Sequence, residues 1–178
     1  MPQVDRQAIV DEMECARSDF HRLLDGASKD ALGRGSRGTR WTNEQLLFHM
    51  LFGYILVRVL VVLIRLFWRL PDSASLVFSR TLNAVAVPFH AVNYLGSCGG
   101  ALVFNHRRMG AQFGRTIDAL ERRLARETDA DLHRGMHYPE RWDPYFTEVM
   151  TLEAIYRYPT LHFDHHARQL TLEEPSES

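Results

Sequence analysis

The chain has 178 residues, of which 46% are hydrophobic and 24% charged, and its 21 basic and 22 acidic side chains give a formal charge of −1. A chain of this length usually forms one domain with a sizeable core. The balanced charge argues against nucleic-acid binding, which normally requires a basic excess. We expect one domain over residues 1–172, followed by a disordered acidic tail over residues 173–178.

The start of the chain and its cysteines bear on cellular location. Residues 1–6 lead into mixed polar sequence rather than into the apolar segment of a secretory signal. Cys15 and Cys98 are the two thiols and lie far apart, so the sequence shows no disulfide framework. Both features predict a cytoplasmic protein.

The first predicted helix covers residues 4–25, where apolar side chains recur at steps of three and four up to a stop at Gly26. Residues 27–40 are rich in glycine, serine and arginine, which predicts an exposed loop. A phosphate-binding loop is a weaker interpretation of the same segment. No strand precedes it, and the spacing of a Walker motif is absent.

The second predicted helix follows Thr42 and ends at Leu70, because Thr42 and Gln45 have capping-box spacing and Pro71 comes next. Its longest stretch without a charged residue or histidine, residues 50–57, is too short to cross a bilayer. We therefore expect no membrane span. On a helical wheel three arginines lie roughly 160 to 200° from His49, so the wheel predicts an inward histidine opposite a solvent-facing stripe, formed by Arg58, Arg65 and Arg69.

Residues 71–104 predict an apolar, irregular insertion, with room for a short helix, over one end of the domain. The third predicted helix covers residues 105–127. The fourth predicted helix begins at Asp143, which has the character of an N-cap, and Pro144 suits its first position. We expect this helix to run to Leu170 with a kink at Pro159. The pattern predicts an all-α four-helix bundle with an apolar insertion between helices 2 and 3.

The histidines suggest a metal site. His162 and His166 are four residues apart, which places both rings on one helix face, and the inward His49 would be the third ligand. Buried imidazoles need partners, and one divalent ion would satisfy all three while keeping a coordination position open, as in catalytic sites. His106 is an alternative ligand. On the same wheel Asp164 points away, and four histidines are assigned to loops or the surface: His21, His90, His133 and His137.

Three further side chains lie close to the predicted ligands. Gln169, one turn beyond His166, is placed to orient a ligand or to bind a metal-bound water. Tyr158 and His165 are the other nearest groups that could orient substrate or move protons. We predict catalytic roles for these three residues.

Two stretches resemble a known family. These are Trp41-Thr42-Asn43-Glu44-Gln45-Leu46-Leu47-Phe48-His49 and His162-Phe163-Asp164-His165-His166-Ala167-Arg168-Gln169-Leu170. Together they resemble the DinB-like family, whose helical proteins include metal-dependent thiol transferases and hydrolases. The resemblance implies a four-helix bundle over about residues 4–171, with zinc or nickel held by His49, His162 and His166. The long segment 71–104 and Pro159 depart from the family's pattern.

The leading hypothesis is a metal-dependent enzyme that activates water or a low-molecular-weight thiol against a small-molecule substrate. It would act as a thiol S-transferase or as a hydrolase. A second hypothesis is a Cys98 nucleophile in a glycine-flanked turn, with His90 or His106 as its base.

A third hypothesis is non-catalytic. In it a helical bundle, with a structural metal or none, packs its Leu- and Val-rich second helix against a partner or a second copy of the chain as a homodimer. Exposed apolar surface in residues 76–102 would favour this association. In a weaker variant the arginine stripe of the second helix lies on a membrane surface.

Overall fold

The computed structural model describes residues 3–172, and over these residues the chain is mostly helical, as the sequence predicts. The predicted tail, residues 173–178, lies outside the described residues. Within residues 3–172 there are eight helices and one two-stranded sheet: α1 (Arg6–Asp25), α2 (Lys29–Gly33), α3 (Asn43–Phe67), α4 (Asp72–Ala84), α5 (Ala86–Val103), α6 (His106–Leu124), α7 (Asp129–Leu132), β1 (Gly135–His137), β2 (Val149–Thr151) and α8 (Leu152–Ala167).

The long helices α1, α3, α6 and α8 share one core. α3 and α1 each contact both α6 and α8. At the centre the rings of Phe20 and Phe113 stack with centroids 4.2 Å apart, and Tyr54 meets Phe113 edge-on at 4.8 Å. Phe163 of α8 completes the group 6.0 Å from Phe113. These rings bury the apolar stripes predicted for the four helices.

The start of α3 follows the predicted capping box. Thr42 accepts a hydrogen bond from the backbone N–H of Gln45, and the Gln45 side chain accepts one from the backbone N–H of Thr42. The helix ends at Phe67 rather than Leu70. Arg58 and Arg69 are exposed as predicted.

The third arginine of the predicted stripe departs from it. Arg65 is half-buried because its guanidinium pairs with the buried carboxylate of Glu127. The same carboxylate accepts a hydrogen bond from Tyr156 at 3.2 Å. The Glu127 carboxylate, which lies between α6 and α7, therefore links α3 to α8.

α3 is long and apolar enough to cross a membrane by length and composition, and 61% of its most apolar stretch is buried inside the protein. A core helix of a soluble protein passes the same test. The expectation that the chain does not cross a membrane stays a prediction.

The prediction of an irregular insertion over residues 71–104 is wrong, because this segment forms α4 and α5. The glycine-rich stretch Gly96-Ser97-Cys98-Gly99-Gly100, whose composition favours a loop, lies inside α5. Glycine weakens an isolated helix, but here it permits close packing, since a Cβ on Gly100 would overlap the ring of Phe48 in α3. Tertiary packing therefore overrides the local signal. Residues 27–40 are likewise not all loop, because they include α2.

The predicted start of the last helix at Asp143 is also wrong. Residues 135–151 form a hairpin in which Met136 lies opposite Met150, and α8 begins at Leu152 with Thr151 as its N-cap. The Asp143 side chain accepts a hydrogen bond from the backbone N–H of Tyr145 at 2.9 Å. Asp-Pro therefore organises a turn here, which the same residue types also favour. Pro159 lies inside α8, as predicted, and the helix ends at Ala167 rather than Leu170.

Candidate metal centre

Three histidine side chains meet where α3 packs against α8. His49 comes from the second turn of α3, and His162 and His166 lie one turn apart on α8. Their ring centroids are 4.5 to 4.8 Å apart, and one nitrogen from each ring lies within 4.8 Å of the others. His49 and His162 are buried and His166 is half-buried. We call these three residues the histidine cluster.

Hydrogen bonds fix the tautomers of two of the rings. Ser97 in α5 donates its hydroxyl to the carbonyl of Asn93, so it accepts from Nδ1–H of His49 at 3.1 Å. In the same way Nδ1–H of His166 donates to Oε1 of Gln169 at 2.7 Å. Both rings therefore keep a lone pair on Nε2, the form that binds metal ions. Gln169 has the orienting position that the sequence predicts.

The third ring is held by packing and by one hydrogen bond, in which Nε2–H of His162 donates to the free Nε2 of His49. Nε2 of His162 lies 3.1 Å from Nε2 of His49, while its Nδ1 is buried without a hydrogen-bond partner within the described part of the chain. That edge of the ring rests on the backbone of α3 at Gly53, where a Cβ would lie 2.8 Å from Nδ1. The absence of a side chain at Gly53 therefore sets the position of His162.

All three rings are neutral near pH 7. Burial lowers the pKa of His49 to about 3, with a further contribution from His166. Burial also lowers the pKa of His166 to about 4, although its hydrogen bond to Gln169 acts in the opposite direction. For His162, burial and then the neighbouring histidines hold the pKa well below its ordinary value. The cluster is therefore available to a cation without loss of protons.

A carboxylate lies beside the cluster. Oδ2 of Asp143 is 3.8 Å from Nε2 of His162 and accepts a hydrogen bond from the Tyr158 hydroxyl at 2.9 Å. Burial raises the pKa of Asp143, and hydrogen bonds from Tyr145 and Tyr158 partly oppose this effect. The sequence predicts only a helix cap at Asp143. The nearby aromatic residues Trp142 and Tyr145 are the signal in the sequence that favours a buried carboxylate at this position.

An apolar cavity of about 300 Å³ adjoins the cluster. His49, His162, Asp143 and Tyr158 contribute to its wall at one end. The rest consists of aliphatic and aromatic side chains of α3, α4, α5 and the hairpin, together with Asn93 of α5. The arrangement joins a group of ligand atoms to a space for a small molecule.

No protein-family model, curated protein or solved structure matches the chain.

The remaining candidate residues lie outside the cluster. Nδ1 of His165 is 3.2 Å from the Tyr145 hydroxyl, and its ring centroid is 5.0 Å from that of His166. His165 therefore flanks the site, and its catalytic role stays a prediction. The His106 ring is 3.2 Å from Glu44, so the structure does not bring His106 to the other three histidines. Asp164 is exposed, as predicted.

Cys98 does not lie in a turn, because it is a half-buried residue within α5. The histidines considered as its base are engaged elsewhere. His90 contacts the carbonyl of Arg141 at 3.1 Å, and His106 contacts Glu44. The geometry therefore does not favour a Cys98 nucleophile.

Proposed function

We propose that the chain is a metal-dependent enzyme of the DinB-like type, in which the histidine cluster holds a divalent ion, zinc or nickel, at one end of the apolar cavity. The observation that carries this proposal is the meeting of three neutral imidazoles, two buried and one half-buried, from two helices. A cytoplasmic location, a small-molecule substrate and the absence of nucleic-acid binding belong to the same proposal.

The helix contacts support the bundle part of the proposal. Because α3 and α1 each contact both α6 and α8, these four helices can close a four-helix bundle. α4 and α5 are then the insertion between its second and third helices. The cluster lies at the α3–α8 contact, where a bundle can hold ligands from facing helices.

The donor set fits the proposed ion. Imidazole nitrogen suits zinc and nickel, and three protein ligands leave a position for a further group. Two nitrogens that bind one tetrahedral zinc ion at about 2.0–2.1 Å lie roughly 3.4 Å apart, and the Nε2 atoms of His49 and His162 are 3.1 Å apart. A cation between these two Nε2 atoms would take the place of the proton that now lies between them.

When bound, the ion would lower the pKa of water or of a low-molecular-weight thiol and so supply a nucleophile at neutral pH. Asp143 is the carboxylate nearest to the cluster and can accept the nucleophile's proton, while the Tyr158 hydroxyl holds this carboxylate in position. Gln169 fixes the ring of His166. His165 remains a proton-handling candidate at the edge of the site. The two activities that follow are those of a thiol S-transferase and of a hydrolase.

Metal analysis of protein purified without a histidine tag tests the proposal. We expect close to one zinc or nickel ion per chain, and a loss of this metal in His166→Ala. His106→Ala is the matched control, because it removes a histidine outside the cluster and should keep the metal. A wild-type protein without stoichiometric metal, or a His166→Ala variant with unchanged metal content, would refute the proposal.

One observation favours a second, non-catalytic function. Large apolar side chains are exposed along α4 and α5, among them Val77, Val87, Val92, Leu95 and Leu102. Such a surface suits self-association or a protein partner. Light scattering separates the two functions, since a dimer without bound metal would favour the interaction module and a metal-loaded monomer the enzyme.

A further inference from the structure

The cavity beside the histidine cluster has one polar end and one apolar end. At the first end lie His49, His162 and Asp143, the groups that form the candidate site. Toward the other end the wall consists of Leu60, Leu63 and further aliphatic and aromatic side chains. Tyr138 also lines the cavity, but its hydroxyl is buried away from the accessible space, so it presents its ring.

The wall is elongated along α3. Its α3 side chains recur at steps of three and four from His49 to Leu63, and at 1.5 Å per residue these positions span about 21 Å. The opposite wall includes Phe89 of α5, which stacks on Trp142 of the hairpin at 3.6 Å. Phe78 of α4 marks the far end, since its ring lies 5.1 Å from that of Phe67 near the end of α3.

From this shape we propose that the site acts on single-chain amphiphiles, with an unbranched alkyl or acyl chain along α3 and its polar, reacting group at the histidine cluster. The inference rests on the proposed function and names its substrate class. Away from the cluster the wall is apolar apart from Asn93, so polar groups in the middle of the ligand would lose most of their hydrogen bonds to water. A volume of about 300 Å³ accommodates roughly ten groups of the size of a water molecule, at about 30 Å³ each, so an apolar segment of about that length fits.

Calorimetric titration of metal-free protein in EDTA with 1-hexanol, 1-octanol and 1-decanol tests the apolar part. Each buried methylene is expected to raise the affinity about fourfold, which corresponds to about 0.8 kcal/mol, until the cavity is filled. One alcohol should bind per chain. Absence of saturable binding, or an affinity that does not rise from hexanol to decanol, overturns the inference.

Two variants locate the bound chain. Leu63→Trp fills the far end of the cavity and should weaken 1-decanol binding at least tenfold with little change for 1-hexanol. Leu66→Trp is the matched control, because Leu66 is exposed one turn later on α3 and does not line the cavity. Circular dichroism checks that both variants fold. Equal decanol affinities in the two variants would place the binding elsewhere and overturn the inference.

The orientation of the ligand is tested in cobalt-substituted protein. Binding of 1-decanethiol should add a sulfur-to-cobalt absorption band, because thiolate is a favoured soft ligand. Saturable binding with an unchanged spectrum would overturn the placement of the polar group at the cluster. Since the alcohol titrations contain EDTA and metal content is measured separately, failure of the chain-binding inference is distinguishable from failure of the metal proposal.

Discussion

The close contact between Gly53 and His162 predicts that an alanine at position 53 will displace the His162 ring. A Cβ at Gly53 would lie 2.8 Å from Nδ1 and 3.2 Å from Cε1 of the His162 ring. The ring cannot swing away freely, since His162 is almost fully buried. Gly53→Ala should therefore push one predicted ligand out of line with the other two.

The expected magnitude follows from two opposing terms. Replacing a helix-interior glycine by alanine normally stabilises a helix by about 0.5–1 kcal/mol. Overpacking a buried site costs about 1–3 kcal/mol. Gly114→Ala supplies the matched control, because Gly114 lies within α6 and nothing lies within 4 Å of its Cβ position. We therefore expect the free energy of unfolding of Gly53→Ala to lie about 1–3 kcal/mol below that of Gly114→Ala.

Two assays read out the Gly53 prediction. Urea unfolding in EDTA compares the stabilities of the two variants without metal, and competition with a chromogenic chelator measures zinc affinity. Misplacing His162 should weaken zinc binding by about 10- to 100-fold, the range found when groups that orient metal ligands are altered, while Gly114→Ala binds like the wild type. If Gly53→Ala matched Gly114→Ala in both assays, the steric account of the His162 position would be refuted.

Two further predictions concern the surroundings of the cluster. Ser97→Ala removes the acceptor for Nδ1–H of His49 and should weaken zinc binding by about 10- to 100-fold. The control Ser79→Ala removes another buried hydroxyl that is bonded to a carbonyl and should leave zinc affinity unchanged. Equal zinc affinities in the two variants would contradict the role of Ser97 in orienting His49. The second prediction is that stability in EDTA falls as the pH is lowered from 6.5 to about 4. The folded state holds the pKa of His49 at about 3 and that of His166 at about 4, so over this range only the unfolded chain binds protons at these two residues. Each of them therefore lowers the free energy of unfolding by up to about 1.4 kcal/mol per pH unit as the pH falls. Urea unfolding across this pH range should show that the free energy of unfolding depends less steeply on pH in His166→Gln, by about the contribution of one histidine. An unchanged dependence on pH would count against burial as the cause.

The helix periodicity and the N-terminal cap of α3 could be predicted from sequence. The apolar stripe of α3 and the Thr42–Gln45 capping box depend on neighbouring residues only, and both are present in the structure. The wheel positions of His49, His162 and His166 were sufficient to place the rings on facing surfaces, because an α-helix fixes the direction of each side chain.

What the sequence did not reveal depends on contacts between distant segments. The glycines of α5 look like loop residues until Gly100 is placed against Phe48. Asp143 has the local character of a helix cap, and only the hairpin that carries it past α8 brings its carboxylate to His162. Neither relationship leaves a periodic signal, since each joins residues that are far apart in the chain.

Helix α5, in the segment that joins α3 to α6, contributes both to the surroundings of the histidine cluster and to the wall of the cavity. Ser97 of α5 bonds to the ring of His49, and Phe89 of the same helix lines the cavity. A change in α5 that reshaped the cavity would also disturb the hydrogen bond that fixes the His49 ring. If the histidine cluster binds an ion as proposed, substrate selectivity and reactivity would be coupled, and substitutions that alter one are expected to bring compensating substitutions around the other.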